Sequence, residues 1–101
     1  MIITVDTTTS PPLLSLDDPE NFGAFAVAAT GSRDAFSDAV AGLGRFDGEH
    51  VFVRPDALRA LAGALAQDDT WATKLDGMVS YAEKHGWVDG DGAIRAHIDW
   101  R

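Results

Sequence analysis

The chain has 101 residues, 46% of them hydrophobic and 24% charged, with no cysteine and a formal net charge of −8. A length of this order fits one domain with a modest core, and the composition argues against wholesale disorder. The missing cysteines exclude disulfides, thiol catalysis and cysteine-type zinc sites, and thirteen Asp and three Glu against six Arg and two Lys disfavour both a phosphate backbone and an anionic membrane surface as partner.

The opening MIITVDTTTS has neither the basic start nor the apolar run of a signal peptide, and no stretch approaches the roughly 20 apolar residues of a membrane span. A soluble cytoplasmic protein is expected. Met1 to Thr7 is β-branched and apolar, which predicts a strand. Residues 8–21 carry Pro11 and Pro12, which oppose helix and central strand alike, so this stretch is expected as an extended connection or arm. Leu13, Leu14 and Leu16 could pin it to the core. Residues 18–30 are ambiguous. Asp18-Pro19 suits a helix start, but Phe25 and Val27 alternate with alanines as in a strand ending at Thr30-Gly31, and a strand over Ala24 to Ala29 is the preferred reading.

Ser32 has the character of a helix N-cap, with Asp34 in the first turn and Phe36, Ala39, Val40 and Leu43 as the apolar stripe. Gly42 and Gly44 end that helix. Glu49 to Arg54 predicts a central strand. Pro55 then opens a helix with Leu58, Leu61, Ala62 and Leu65 on one face. Asp68, Asp69 and Thr70 break it and cap the next. The longest helix is expected from Thr70 to His85, where Trp71, Leu75, Met78, Val79 and Ala82 form a continuous stripe. Gly86 fits its left-handed C-terminal cap.

The chain closes with HGWVDGDGAIRAHIDWR. Asp89-Gly90 and Asp91-Gly92 predict a hairpin. A four-residue loop sets Trp87 opposite Ile94 and a two-residue loop sets it opposite Ala96. Either puts Trp87 on the apolar face, and a three-residue loop, which would turn it outward, is not favoured. Ile94, Ala96, Ile98 and Trp100 face one way, Arg95, His97, Asp99 and Arg101 the other. The strand outruns its hairpin partner, so its far half needs another neighbour, Ile2 to Asp6 or Glu49 to Arg54.

These elements predict a single α+β domain over residues 1–101. Its sheet is expected to be mainly antiparallel, with three to four strands and about three helices on one face, ending in helix plus β-hairpin. The last helix and hairpin, KHGWVDGDGAIRAHIDWR, resemble the final helix and wing of winged-helix proteins. With Asp89, Asp91 and Asp99 in that wing, the resemblance implies protein binding rather than DNA reading.

No nucleophile elbow, phosphate loop or calcium loop is present: ATGSRD has one glycine and no lysine, and Ile94 and Trp100 stand where a calcium loop from Asp89 needs Gly and Glu. No catalytic residue, metal site or cofactor is assigned. The candidate polar face is Arg95, His97 and Asp99, neighbours about 7 Å apart on one strand face, joined by His50 if its strand pairs with theirs. There Asp99 could orient His97 as a base. The ordinary explanation is the wet side of a sheet. His85, at a helix end, fits a dipole-capping role. Trp100 is the candidate interface residue. The expected role is protein binding or self-association without nucleic acid or membrane, and the alternative is a small-molecule-binding domain or small enzyme with a pocket between helices and sheet.

Overall fold

A computed structural model describes residues 1–101. Six strands run β1 Ile2–Asp6, β2 Leu13–Asp17, β3 Ala26–Thr30, β4 Gly44–Phe46, β5 His50–Val53 and β6 Ile94–Trp100. The helices are α1 Arg33–Ala39, α2 Pro55–Ala62 and α3 Asp69–Lys84, with a 3₁₀ segment, Gly63–Gln67, joining the last two. The strands form one sheet in the order β2-β1-β3-β6-β5-β4, curled into a half-barrel.

The fold is α+β, but the expected sheet of three to four mainly antiparallel strands is corrected to a mixed sheet of six. β1 pairs parallel with β3, and β3 parallel with β6. β2, β5 and β4 are antiparallel to their neighbours. Two strands were hidden from the sequence. Residues 8–21, expected as a connection, contain β2, an edge strand entered just after Pro12, where missing N–H groups cost no ladder bond. β4 follows α1 after a turn over residues 40–43. There Gly44 has no substitute, because a Cβ would collide with the Phe52 carbonyl oxygen of β5.

Residues 18–30 resolve as a turn and then a strand. Asp18 is left-handed, with φ 53°, which stops a helix from starting at Pro19. Pro19 instead offers its carbonyl to the Trp71 indole, 2.8 Å away. Two helix starts and the end of α3 follow the expected chemistry, but α1 stops at Ala39 rather than at Gly42, and α2 stops at Ala62, leaving Leu65 in the 3₁₀ segment. Ser32 accepts from the Ala35 amide at 3.2 Å, and Asp68 from the Trp71 amide at 3.0 Å. At the far end of α3, Gly86 is left-handed at φ 72°. Its N–H reaches the Glu83 carbonyl at 3.1 Å and the Trp87 N–H reaches the Ala82 carbonyl at 2.9 Å, the two bonds of a Schellman cap.

The core is one cluster of 18 buried residues, with Ile3, Val5, Val27, Val51, Val53, Ala96 and Ile98 from the sheet and Phe36, Leu58, Trp71 and Leu75 from the helices. The opposite sheet face carries Thr4, Asp6, Thr30, Arg95, His97 and Asp99. The winged-helix resemblance does not survive this topology, because β6 lies inside a six-stranded sheet rather than in a projecting wing. No helix is long and apolar enough to cross a membrane.

Candidate functional site

The closing hairpin differs from both expected registers. Val88 pairs with Ile94, the Asp89 N–H donates to the Ala93 carbonyl at 3.0 Å, and the Arg95 N–H to the Trp87 carbonyl at 2.7 Å. The loop is therefore three residues, Gly90 to Gly92, with Gly92 left-handed at φ 80°. The Asp89 carboxylate selects it, accepting from the Asp91 and Ala93 amides, both at 3.0 Å. Trp87 consequently stands opposite Arg95 and turns outward, 38% exposed.

This register breaks the ladder along β6. On the edge facing β3, the first part of β6 is paired by Trp87 and Val88, and its later part, from His97, by β3. Ala96 lies between the two partners. An open cavity of about 280 Å³ occupies this break, walled by Trp87 on one side and Ala24 and Phe25 on the other, with Tyr81 and Met78 of α3 and Phe22 adding apolar surface.

The polar groups of the cavity come from β5 and β6. His50 and His97 are direct cross-strand partners. The backbone of His50 is engaged on its other side, since its N–H donates to Asp47 Oδ1 at 2.7 Å and its carbonyl accepts from the Asp47 N–H at 3.1 Å. The two histidines thus form a non-hydrogen-bonded pair, the kind in which facing side chains come closest, with Cβ atoms about 4.5–5.5 Å apart. Both line the cavity with Arg95.

Asp47 sits at the turn between β4 and β5, with Oδ2 4.0 Å from His50 Nδ1. The backbone N–H groups of His50 and Glu49 hold its carboxyl below the usual carboxylate range.

Of the residues singled out from the sequence, Arg95, His97 and His50 meet at this cavity. Asp99 does not join them. Its carboxylate accepts from the Arg101 guanidinium at 3.3 Å, leaving His97 without the orienting partner a base would need. Trp100 lies elsewhere, on Phe36 and Phe46 with ring centroids 4.8 and 6.3 Å away, and the Arg33 guanidinium lies 4.7 Å over its ring. It is 39% exposed. His85 stacks on Trp87 at 4.7 Å and 20°. No group of three or more His, Asp or Glu side chains converges as a metal site needs.

Spacing alone does not mark Tyr81, Trp87 and Phe25 as wall residues. Tyr81 gives one sequence signal, an aromatic set apart from the apolar stripe of α3. Comparison with protein-family models, curated proteins and solved structures finds no match to this chain.

Proposed function

We propose that this protein is a small-molecule-binding domain whose site is the break in the β6 ladder. The observation that carries the reading is the meeting, at one open cavity, of apolar walls from α3 and the segment before β3 with Arg95, His97 and His50. Such pockets bind by burying an apolar body while a few placed polar groups orient it. The volume stands just below the roughly 300–1,000 Å³ of drug-sized sites, which suits one or two rings and not a dinucleotide. No step of bond chemistry is assigned, because His97 lacks an orienting partner and no nucleophile stands beside it.

Ala24 provides the test. It is exposed and lines the cavity, so Ala24→Trp fills the space with little threat to the fold. A fragment library of small ring compounds should shift the amide resonances of Arg95, His97 and Trp87 in the parent chain, and Ala24→Trp should abolish the shifts. Fragments that perturb other regions, or that bind the filled variant equally well, would overturn the reading.

A protein-binding or assembly role retains one specific feature, Leu13, 60% exposed on edge strand β2. Sedimentation velocity at rising concentration tests it. A mass fixed at the 10.8 kDa chain removes self-association.

A further inference from the structure

The cavity has an unusual charge. The chain carries 16 acidic side chains, yet none of the residues lining the cavity is acidic, while Arg95, His50 and His97 all are lining residues. A locally positive cleft is thus set in a molecule of net charge −8.

Arg95 is also the one arginine of six without a side-chain partner. Arg33 donates to the Gly48 carbonyl and lies over Trp100. Arg45 pairs with Asp89 and lies over Phe52. Arg54 donates to the Gly42 carbonyl. Arg59 pairs with Asp56 and Asp76, and Arg101 with Asp99. Only the Arg95 guanidinium makes no hydrogen bond, ion pair or ring contact. Its five donors are arranged as a planar fork that matches a carboxylate or phosphate two bonds at a time.

We infer that the ligand is a small monoanionic carboxylate with a planar apolar body, its carboxylate on Arg95 and the His50–His97 pair and its body between Trp87 and Phe25. This rests on the reading of the cavity as a ligand site. Three features narrow the class. A guanidinium and two imidazoles, with no acid in the lining, favour an anionic head over a neutral or cationic one. The aromatic walls favour a flat apolar body. The negative field of the whole chain opposes an anion in proportion to its charge, so one charge is preferred to two. A polyanion such as a nucleic acid is opposed more strongly and could not enter.

The groups facing the carboxylate are few. Arg95 supplies positive charge and the two imidazoles supply ring nitrogens, and Asp47, 4.0 Å from His50 Nδ1, is not a lining residue. Tyr81 and Trp87 are the other lining residues with a polar side-chain atom.

Matched compounds with one ring skeleton test the assignment: phenylacetate, phenylacetamide, phenethylamine and phenyl phosphate. Each is titrated into the protein while the amides of Arg95 and His97 and the Trp87 indole are followed by NMR. Phenylacetate is expected to bind at least tenfold more tightly than the amide or the amine. Arg95→Gln should remove that preference, weakening phenylacetate far more than phenylacetamide. The variant breaks no hydrogen bond or ion pair of the folded chain, and its amide spectrum verifies the fold. Equal binding of acid and amide, unaffected by Arg95→Gln, overturns the anionic class while the pocket stands. Tighter binding of phenyl phosphate overturns the monocarboxylate in favour of a phosphate ester. No binding by any of the four overturns this inference, and it sinks the pocket reading as well if the fragment library also fails to shift these resonances.

Discussion

At the scale of single residues, three aspartates act through their own turns. Asp6 accepts from the hydroxyl and amide of Thr8, Asp47 from the amides of His50 and Glu49, and Asp89 from those of Ala93 and Asp91. In each case these hydrogen bonds favour the ionised form and hold the carboxyl below its ordinary value. A group that titrates lower when folded stabilises the fold fully above its unfolded value, about 3.9, and loses that contribution as pH falls through the lower folded value. Urea midpoints should therefore be level from neutral pH down to about that value and decline below it. Asp89→Asn should flatten the decline. An unchanged acid limb in Asp89→Asn, Asp47→Asn and Asp6→Asn alike would show that these turns do not govern acid stability.

At the scale of elements, the helices were legible because their starts, and the end of α3, are written in local chemistry. Ser32, Pro55, Asp68 and Gly86 each act within a few residues of themselves, and the structure places them as caps or first-turn residues. Gly86→Ala puts a Cβ at a left-handed position and should cost about 1 kcal/mol, read as a lowered thermal midpoint with α3 retained. An unaltered midpoint would mean the cap relaxes without cost. β5 and β6 were legible for a similar reason, since their alternation of buried and exposed residues needs no partner to be seen. The hairpin register was not. It turns on where the Asp89 carboxylate finds its donors, and spacing alone does not separate a three-residue loop from loops of two or four. β2 and β4 escaped because prolines and glycines, read as breakers, sit beside edge strands that tolerate them.

The candidate site was legible only as residue types. Arg95, His97 and His50 fall on predicted strands, and His50 faces His97 if those strands pair. That Trp87, Tyr81 and Phe25 would wall a cavity beside them depends on the loop register and on the direction of the segment before β3, both tertiary outcomes. Asp99 illustrates the opposite error. Two-residue spacing put it on the same face as His97, but Arg101, also two residues away, holds its carboxylate instead.

At the scale of the whole molecule, the parallel pairings were beyond local reading, because β1, β3 and β6 are brought together by packing across most of the chain. β6 lies between β3 and β5 and alone joins β2-β1-β3 to β5-β4 within the sheet. Ile98, 7% exposed, belongs to the common core cluster. Ile98→Ala should cost about 2–5 kcal/mol and should lower the amide-exchange protection of Val27 and Val51 together. Loss of protection on one side only would show that the halves are stable apart. Both outer strands are poor templates for further pairing. β2 is preceded by Pro11 and Pro12 and ends at Asp17 before Asp18, and β4 is three residues long, devices that blunt sheet edges against aggregation.

The central place of β6 also bears on how the chain is made. β6 is the last of the strands to leave the ribosome, yet β3 and β5 both wait for it. Until it emerges, the nascent chain holds two incomplete pieces of sheet, each with an open apolar edge. Pairings that span so much sequence close slowly, because the loop entropy is spent before the contacts form. The sheet is therefore expected to close only once β6 has emerged. The interval before β6 docks is when its unfinished edges are most open to chaperones and to misassembly.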